Sequence, residues 1–379
     1  MAAPGKAPIS VTLEASSGSS ATHVLLAAML RAHEHVSDLI FSPGRLPQVE
    51  VHGQLIAVQG TGIRTLSADD TRGIASDLIG NNKQAITILR EQGSCDVSFG
   101  LPGLARFRVN AFIQRGSCAV VMRVIPGTIP TFDGLGLPSE LRGVASLRDG
   151  IVLVTGPRGS GKSSTMAALL DLINEQQTSH IITIEDPIEF LHNHKRATVH
   201  QRELHSDAPT MALALRAAMR QAPKVIVLGD MRDNDTIEMA LEAAETGHLV
   251  ISSLNTVDSI KAVDRIMSSF GIGEQSSIRS RFSRTFRYVI SQRLIPRSDA
   301  HGRALAIEIL KTTPETQEFV ERGEQNGIFL RQAMKSGEFE GMQSFDTEIA
   351  KLVRSGTVDL QTALSFATDP AEVKRALEA

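Results

Sequence analysis

Apolar and polar positions along the chain follow three successive rhythms. In residues 1–21 Ala, Gly, Pro and Ser dominate, and a disordered tail is expected there. Over 22–126 helix-like and strand-like spacings are mixed. Leu25, Leu26, Met29 and Leu30 recur at helical intervals and predict a helix near His23–His33. Strands are predicted over Asp38–Phe41 and Gln48–Val58, with the turn residues Ser42, Pro43 and Gly44 between them. Helices are predicted over Ala68–Ile79 and Lys83–Gln92. Ala105–Ile113 and Cys118–Ile125 then read as two strands closed into a hairpin by Arg115-Gly116. Together these elements make a smaller α+β domain.

Residues 127–149 are rich in Pro and Gly and read as a linker. Beyond it, short apolar strands alternate with longer helical segments. The strands are Ile151–Thr155, His180–Ile184, Lys224–Leu228, Leu249–Leu254 and Leu305–Leu310. Such alternation implies an α/β fold, a parallel sheet covered by helices on both faces. A core over 150–379 with a mostly helical C-terminal part is expected.

Composition narrows the function more by exclusion than by assertion. With 379 residues, 42% hydrophobic and 21% charged, the chain suits two ordinary globular domains. A net charge of −3, one Tyr and no Trp offer no basic, aromatic platform, so no nucleic-acid partner is expected. Two cysteines, Cys95 and Cys118, are too few for a disulfide framework and read as buried thiols. No apolar run reaches membrane-spanning length. A cytoplasmic protein is expected, with at most peripheral attachment to a membrane complex.

The chemistry begins at Gly156-Pro157-Arg158-Gly159-Ser160-Gly161-Lys162-Ser163, an uninterrupted G-x-x-x-x-G-K-S. It follows the apolar strand Ile151–Thr155 and precedes a helical run from Ser164, the setting that a phosphate-binding loop needs. Gly156, Gly159 and Gly161 let backbone N–H groups converge on phosphate, with Arg158, Ser160 and Ser164 in the same cradle. Lys162 would reach the β- and γ-phosphates of ATP, and the Ser163 hydroxyl would join the shell of Mg2+.

Phosphoryl transfer to water also needs carboxylates at the strand ends beside this loop. Ile181–Ile184 runs into Glu185-Asp186-Pro187-Ile188-Glu189, and Val225–Leu228 into Gly229-Asp230. Glu185 is the candidate for activating water and Asp230 for catalysis and metal binding. Asp186 and Glu189 serve equally well as ordinary loop acids. Asp233 reads as a helix N-cap. Asn255, at the end of the next strand, could sense the γ-phosphate.

Arg106, Arg108, Arg115 and Arg123 cluster on the predicted hairpin, where a two-residue turn places Arg108 opposite Arg123. Like charges directly opposed are unfavourable. Either an anion lies between them or the register is shifted by one. They are either salt-bridged surface residues or a phosphate clamp serving the site of a neighbouring subunit.

In this order and spacing the motifs resemble the type IV pilus retraction ATPases, the twitching-motility PilT/PilU group of secretion ATPases. The matching stretches include Ser37-Asp38-Leu39, Val51-His52-Gly53 and Arg106-Phe107-Arg108-Val109-Asn110. The phosphate loop, Ile182–Phe190, Gln201-Arg202-Glu203, Gly229–Asp233, Ala243–His248 and Gly341–Asp346 continue the match to the C-terminus. The resemblance implies a PAS-like N-terminal domain and a RecA-like P-loop core, assembled as a homohexameric ring. It further implies pilus retraction at an inner-membrane platform protein. It makes Glu185 the catalytic base, puts Asp230 in the Walker B segment, and maps the N-terminal catalytic arginines onto Arg108 and Arg123. The chain departs from the family at three places. Asp230 stands where Glu is usual, Asn255 where T-L-H-T has His, and the A-I-R-N-L-I-R-E signature is poorly kept around Glu318–Gly323. The alternative is therefore a catalytically slow accessory or regulatory subunit.

Overall fold

The computed structural model describes residues 7–13, 20–125, 127–299, 301–323 and 328–378. The chain divides into two compact units, Met1–Thr128 and Ile129–Ala379.

The first unit holds strands β1 (Ile9–Ser10), β2 (Val36–Phe41), β3 (Gln48–Val51), β4 (Gln54–Gln59), β5 (Ser94–Leu101), β6 (Ala105–Gln114) and β7 (Ser117–Ile125). They form one sheet in the order β1-β4-β3-β2-β7-β6-β5. Helices α1 (Ala21–Arg31), α2 (Ala68–Ile79) and α3 (Lys83–Gln92) complete the unit. Their apolar faces join strand residues such as Leu39, Phe41, Phe107, Val109 and Met122 in one core. Ser67 and Asp70 form a capping box at the start of α2, and the Asn82 side chain caps α3, which fixes both helix starts where the pattern put them.

Three expectations for this unit need correction. The predicted disordered tail lies partly outside the described residues, at 1–6 and 14–19. Within it, Ile9–Ser10 pair in parallel with Val58–Gln59, and Ile9 and Val11 pack against the core. The single strand Gln48–Val58 is a hairpin. His52 and Gly53 both take positive φ (51° and 75°), as a two-residue turn between β3 and β4 requires. The strand β5 was not expected, because Ser, Asp and Gly interrupt its apolar alternation.

The second unit is built on β8 (Gly150–Thr155), β9 (His180–Glu185), β10 (Thr198–Glu203), β11 (Val225–Leu228), β12 (Leu249–Leu254), β13 (Phe286–Pro296) and β14 (Arg303–Lys311). Their order is β10-β9-β11-β12-β8-β13-β14, parallel except for the antiparallel edge pair β13–β14. The helices are α4 (Lys162–Gln176), α5 (Met211–Ala218), α6 (Asn234–Glu245), α7 (Ser259–Ser268), α8 (Ile272–Thr285), α9 (Pro314–Arg322), α10 (Ile328–Ser336), α11 (Phe345–Arg354), α12 (Leu360–Phe366) and α13 (Pro370–Glu378).

Successive strand residues supply opposite cores. Ile151 and Leu153 face the helices α5–α8, whereas Val152 and Val154 face α4. Burial on both sides is why these strands read as continuous apolar runs. The expected linker 127–149 is not free chain. From Ile129 it belongs to the second unit, and Phe132, Leu137, Leu141 and Val144 are buried in the α4-side core, with a 3-10 helix at Ser139–Ser146. A third cluster, around Phe345, Ile349, Val358 and Val373, seats α11–α13 against Ile295 and Ala304 of the edge strands.

Candidate nucleotide site

The loop between β8 and α4 is shaped by glycines. Gly156, Gly159 and Gly161 have φ of 149°, 78° and 91°, a region side chains avoid. A Cβ on Gly156 would lie 2.4 Å from Ser160 Oγ and 2.7 Å from the Gln292 carbonyl oxygen. Gly161 precedes α4 without any side-chain cap, so the first-turn N–H groups of Lys162, Ser163 and Ser164 have no capping acceptor. Lys162 folds back, its Nζ donating to the carbonyls of Gly156 (2.8 Å) and Pro157 (3.0 Å). Burial pushes the Lys162 ammonium below its ordinary range, Arg158 adds to this, and the charges of Glu189 and Asp230 oppose it. Ser160 is buried and its Oγ has no hydrogen-bond partner among the described residues, while Arg158 is exposed.

Beneath the loop lies a buried polar layer. Thr155 Oγ1 donates to Ser291 Oγ (2.9 Å), and Gln292 Nε2 donates to Thr165 Oγ1 (2.9 Å). Ser291 and Gln292 stand on β13, a strand the sequence did not reveal because Arg287, Gln292 and Arg293 break its apolar run. On the same side a cavity of ≈ 390 Å³ opens beside the loop, lined by Arg158, Gly159, Val257, Arg293, Arg303 and Phe366 among others.

On the other side the strand order sets out the acidic ends in sequence. β12 touches β8 directly, and the Gly156 N–H donates to the Leu254 carbonyl at 3.3 Å. Asn255 follows, exposed to solvent. Next comes Asp230, whose Oδ2 accepts from Arg232 Nε at 2.5 Å, while Arg232 Nη1 lies 3.9 Å from Asp186. One guanidinium therefore serves two of the loop acids. At the end of β9, Glu185 Oε1 accepts from Thr183 Oγ1 (2.6 Å) and Gln201 Nε2 (3.0 Å), and Oε2 from the Glu189 N–H (3.3 Å). Burial pushes the Glu185 carboxyl above its usual range, and these three donors pull it back. Asp233 caps α6, its side chain accepting from the Thr236 N–H at 2.8 Å.

The second unit thus brings the phosphate loop, Asn255, Asp230 and Glu185 to one edge of the sheet. Glu189 also belongs to this group, since its charge acts on Lys162. The sequence leaves Glu189 open between a functional and an ordinary loop role, and the loop after β9, where its N–H donates to Glu185, brings it there. The hairpin arginines lie in the first unit, where Arg108 and Arg123 have partners of their own. Arg108 and Arg123 are cross-strand neighbours, as the turn length implied. Neither an intervening anion nor a shifted register is needed: Asp38 holds Arg123 at 2.9 Å, and Asp96 lies 3.8 Å from Arg108.

The oxygen donors at Ser163 and Asp230 are the hard ligands that Mg2+ prefers. Among the described residues no group of three or more His, Cys, Asp or Glu side chains is placed to hold a metal. A magnesium ion here would accordingly share its shell with nucleotide phosphates and water, as is usual for this ion.

An unbroken phosphate loop on a parallel sheet with acids at its C-terminal edge defines a P-loop nucleotide hydrolase. The profile of the Type II/IV secretion system protein family matches residues 93–364. A Twitching motility protein of Neisseria gonorrhoeae is 40% identical over 84% of this chain and 83% of its own length. The Type IV pilus retractation ATPase PilT of Pseudomonas aeruginosa is 39% identical over 89% of this chain and 96% of its own. The crystal structure of the pilus retraction motor PilT with bound ADP superposes with a TM-score of 0.82 at 36% identity, covering 93% of this chain and 98% of that one. The chain belongs to the Type II/IV secretion system ATPase family and is itself an ATPase. Among the described residues no helix is long and apolar enough to cross a membrane.

Proposed function

We propose that this chain is a hexameric ring motor that hydrolyses ATP with Mg2+ to retract a type IV pilus, working on the cytoplasmic side of an inner-membrane platform protein. The uncapped start of α4 behind a glycine-shaped loop, with Glu185, Glu189 and Asp230 across the same edge, is the observation that carries this reading. Gly156, Gly159, Ser160 and Gly161 line the phosphate path with Arg158, Ser163 and Ser164, and Lys162 leaves its two loop carbonyls to meet the β- and γ-phosphates. With the acids on the β12–β11–β9 side, the nucleoside runs towards β13, where the ≈ 390 Å³ cavity can receive it.

Ser163 and Asp230 would hold magnesium, which neutralises phosphate charge when bound. Glu185 takes a proton from the attacking water. The water oxygen forms its bond to the γ-phosphorus as the bond to the bridging oxygen breaks, and ADP leaves with that electron pair. Asn255 can donate a hydrogen bond to the γ-phosphate or water but cannot carry a proton. Arg108, whose partner lies 3.8 Å away, releases more readily than Arg123 to serve a neighbouring subunit's nucleotide.

A second reading, a slow accessory subunit of the same machinery, is favoured by the tight hold of Arg232 on Asp230. Steady-state hydrolysis with Mg2+ by size-defined protein decides between them. Turnover from a ring-sized species, abolished in Lys162→Ala and reduced about 10²-fold or more in Glu185→Gln, supports the motor. Nucleotide binding without turnover supports the accessory role. Loss in Glu189→Gln but not in Glu185→Gln would move the base to Glu189.

A further inference from the structure

Thr183, Glu185 and Gln201 form one triangle on one face of the sheet. Thr183 and Glu185 are two apart on β9 and therefore share a face. Gln201 is the register partner of Thr183 on β10. Both contribute a donor to the same carboxylate oxygen. Thr183 Oγ1 donates to Glu185 Oε1 at 2.6 Å, and Gln201 Nε2 donates to it at 3.0 Å.

The Gln201 amide is itself fixed. Its Nε2 also donates to the Phe190 carbonyl (2.9 Å), and its Oε1 accepts from the His192 N–H (2.8 Å). A flipped amide would set oxygen against the Phe190 carbonyl and NH2 against the His192 N–H, so only one orientation satisfies the network. Gln201 is a clamp between the carboxylate and the chain that returns from it.

A carboxylate oxygen has two in-plane lone pairs, and both on Oε1 are taken. Among the described residues Oε2 carries only the longer bond from the Glu189 N–H, 3.3 Å. We propose that Thr183 and Gln201 are positioning residues that seal Oε1 and turn Oε2 of Glu185 towards the attacking water as the oxygen that accepts its proton. The proposal rests on the reading of Glu185 as the base.

The same two donors favour the ionised carboxylate that a base must be, against the burial that favours the acid. Further charges surround the group. Glu189 lies ahead of it in the loop, and Asp186 adjoins it. Glu203 is its register partner on β10, and Asp230 with Arg232 follows β11 on the other side. Four of these five are acids, so without its hydroxyl and amide donors Glu185 would be held protonated to higher pH. Removing a donor therefore moves the acidic limb of kcat upwards.

The experiment compares kcat against pH, ATP Kd and thermal midpoint for Thr183→Val, Thr183→Ser, Gln201→Met and Glu185→Gln in the full chain with Mg2+. Thr183→Val keeps the shape and removes only the hydroxyl. The expected result is an acidic limb displaced upwards by about one pH unit, the size of one hydrogen bond to a charged group, with Kd unchanged. Thr183→Ser restores the limb, Gln201→Met shifts it in the same direction, and Thr183→Val added to Glu185→Gln causes no further loss. A Thr183→Val enzyme with the parent's limb and kcat, beside an inactive Glu185→Gln, would overturn the positioning role and leave the base in place. A lower thermal midpoint with an unmoved limb would make Thr183 merely structural, again against the proposal. Near-parent turnover in Glu185→Gln would remove the base and the inference together.

Discussion

Arg108 and Arg123 face each other directly across the β6–β7 hairpin, two guanidinium groups in a register position that disfavours like charges. Two aspartates resolve the conflict unequally. Asp38, on the neighbouring strand β2 and register partner of Arg123, is buried to 7% exposure and bonded at 2.9 Å. Asp96, on β5, is 58% exposed and 3.8 Å from Arg108. The arginine pair is thus held tightly from the β2 side and weakly from the β5 side.

The inequality predicts different costs. Asp38→Asn weakens a charge-assisted bond at a buried position and restores the arginine repulsion, costing about 1–3 kcal/mol. Asp96→Asn removes an exposed, long pair and costs at most about 0.5 kcal/mol. Hydrogen exchange of the β2 and β7 amides in the full chain measures both. Equal protection loss in the two variants would show that the Asp38 contact adds nothing.

Gly156→Ala tests the phosphate loop without touching a charge. The new methyl would sit 2.4 Å from Ser160 Oγ and 2.7 Å from the Gln292 carbonyl, and φ of 149° is itself unfavourable for alanine. Since a backbone carbonyl cannot step aside as a side chain can, the loop must open. ATP affinity should fall at least about tenfold, one unit of 1.4 kcal/mol, with the thermal midpoint moving by only a few degrees. Gly159→Ala, where a Cβ meets nothing within 4 Å, should be the milder change. Equal affinities for the two variants would contradict this account of the loop.

What could be read from the sequence, and what could not, follows from where each signal resides. The phosphate loop, the helices at Ala68–Ile79 and Lys83–Gln92 and the apolar central strands are local features, carried by caps, glycines and period. The missed strands β5, β10 and β13 sit at sheet edges or carry buried polar residues such as Gln292, whose partner Thr165 is 127 positions away. The linker was misread for a related reason. Pro and Gly mark turns, but only the assembled α4 face shows that Phe132 and Leu141 have something to bury against. Likewise Asp38, which holds Arg123, comes from a strand 85 positions away in the chain.

His192 predicts a pH dependence of stability. Burial holds its imidazole down to about 4, from an ordinary 6.5, with Lys195 assisting and Asp171 opposing. Between these values the unfolded chain binds a proton that the folded one refuses. The stability this group contributes is therefore complete above pH 6.5 and declines as pH falls through 6.5 towards about 4. The full effect is of order 3 kcal/mol, from 1.36 kcal/mol per unit. His192→Leu should flatten that part of the stability–pH curve, measured by urea unfolding from pH 7 to 4. An unchanged slope would place the acid sensitivity elsewhere.

The attachment of the C-terminal helices gives the last prediction. The Arg293 guanidinium lies 3.8 Å from the centre of the Phe345 ring, which is fully buried, and donates to the Phe366 carbonyl at 2.5 Å. Burial pulls Arg293 below its usual range, and the charges of Glu308, Asp258 and Asp346 oppose this. Glu308 is buried too, accepting the Ser259 N–H at 2.8 Å, and burial pushes its carboxyl up. Arg293→Met fills the volume but removes the guanidinium's bond to the Phe366 carbonyl and the positive charge that opposes the burial of Glu308, so stability should fall by at least about 1 kcal/mol. Glu308→Gln keeps an acceptor for Ser259 and removes the charge. Added to Arg293→Met, it should therefore return part of the stability that Arg293→Met alone loses. Because Arg293 also lines the cavity beside the phosphate loop, Arg293→Met should weaken ATP binding even where the fold persists. Additive losses in the double variant would show that the two charges do not support each other, and would leave the contacts with Phe345 and Phe366 as Arg293's share of the attachment.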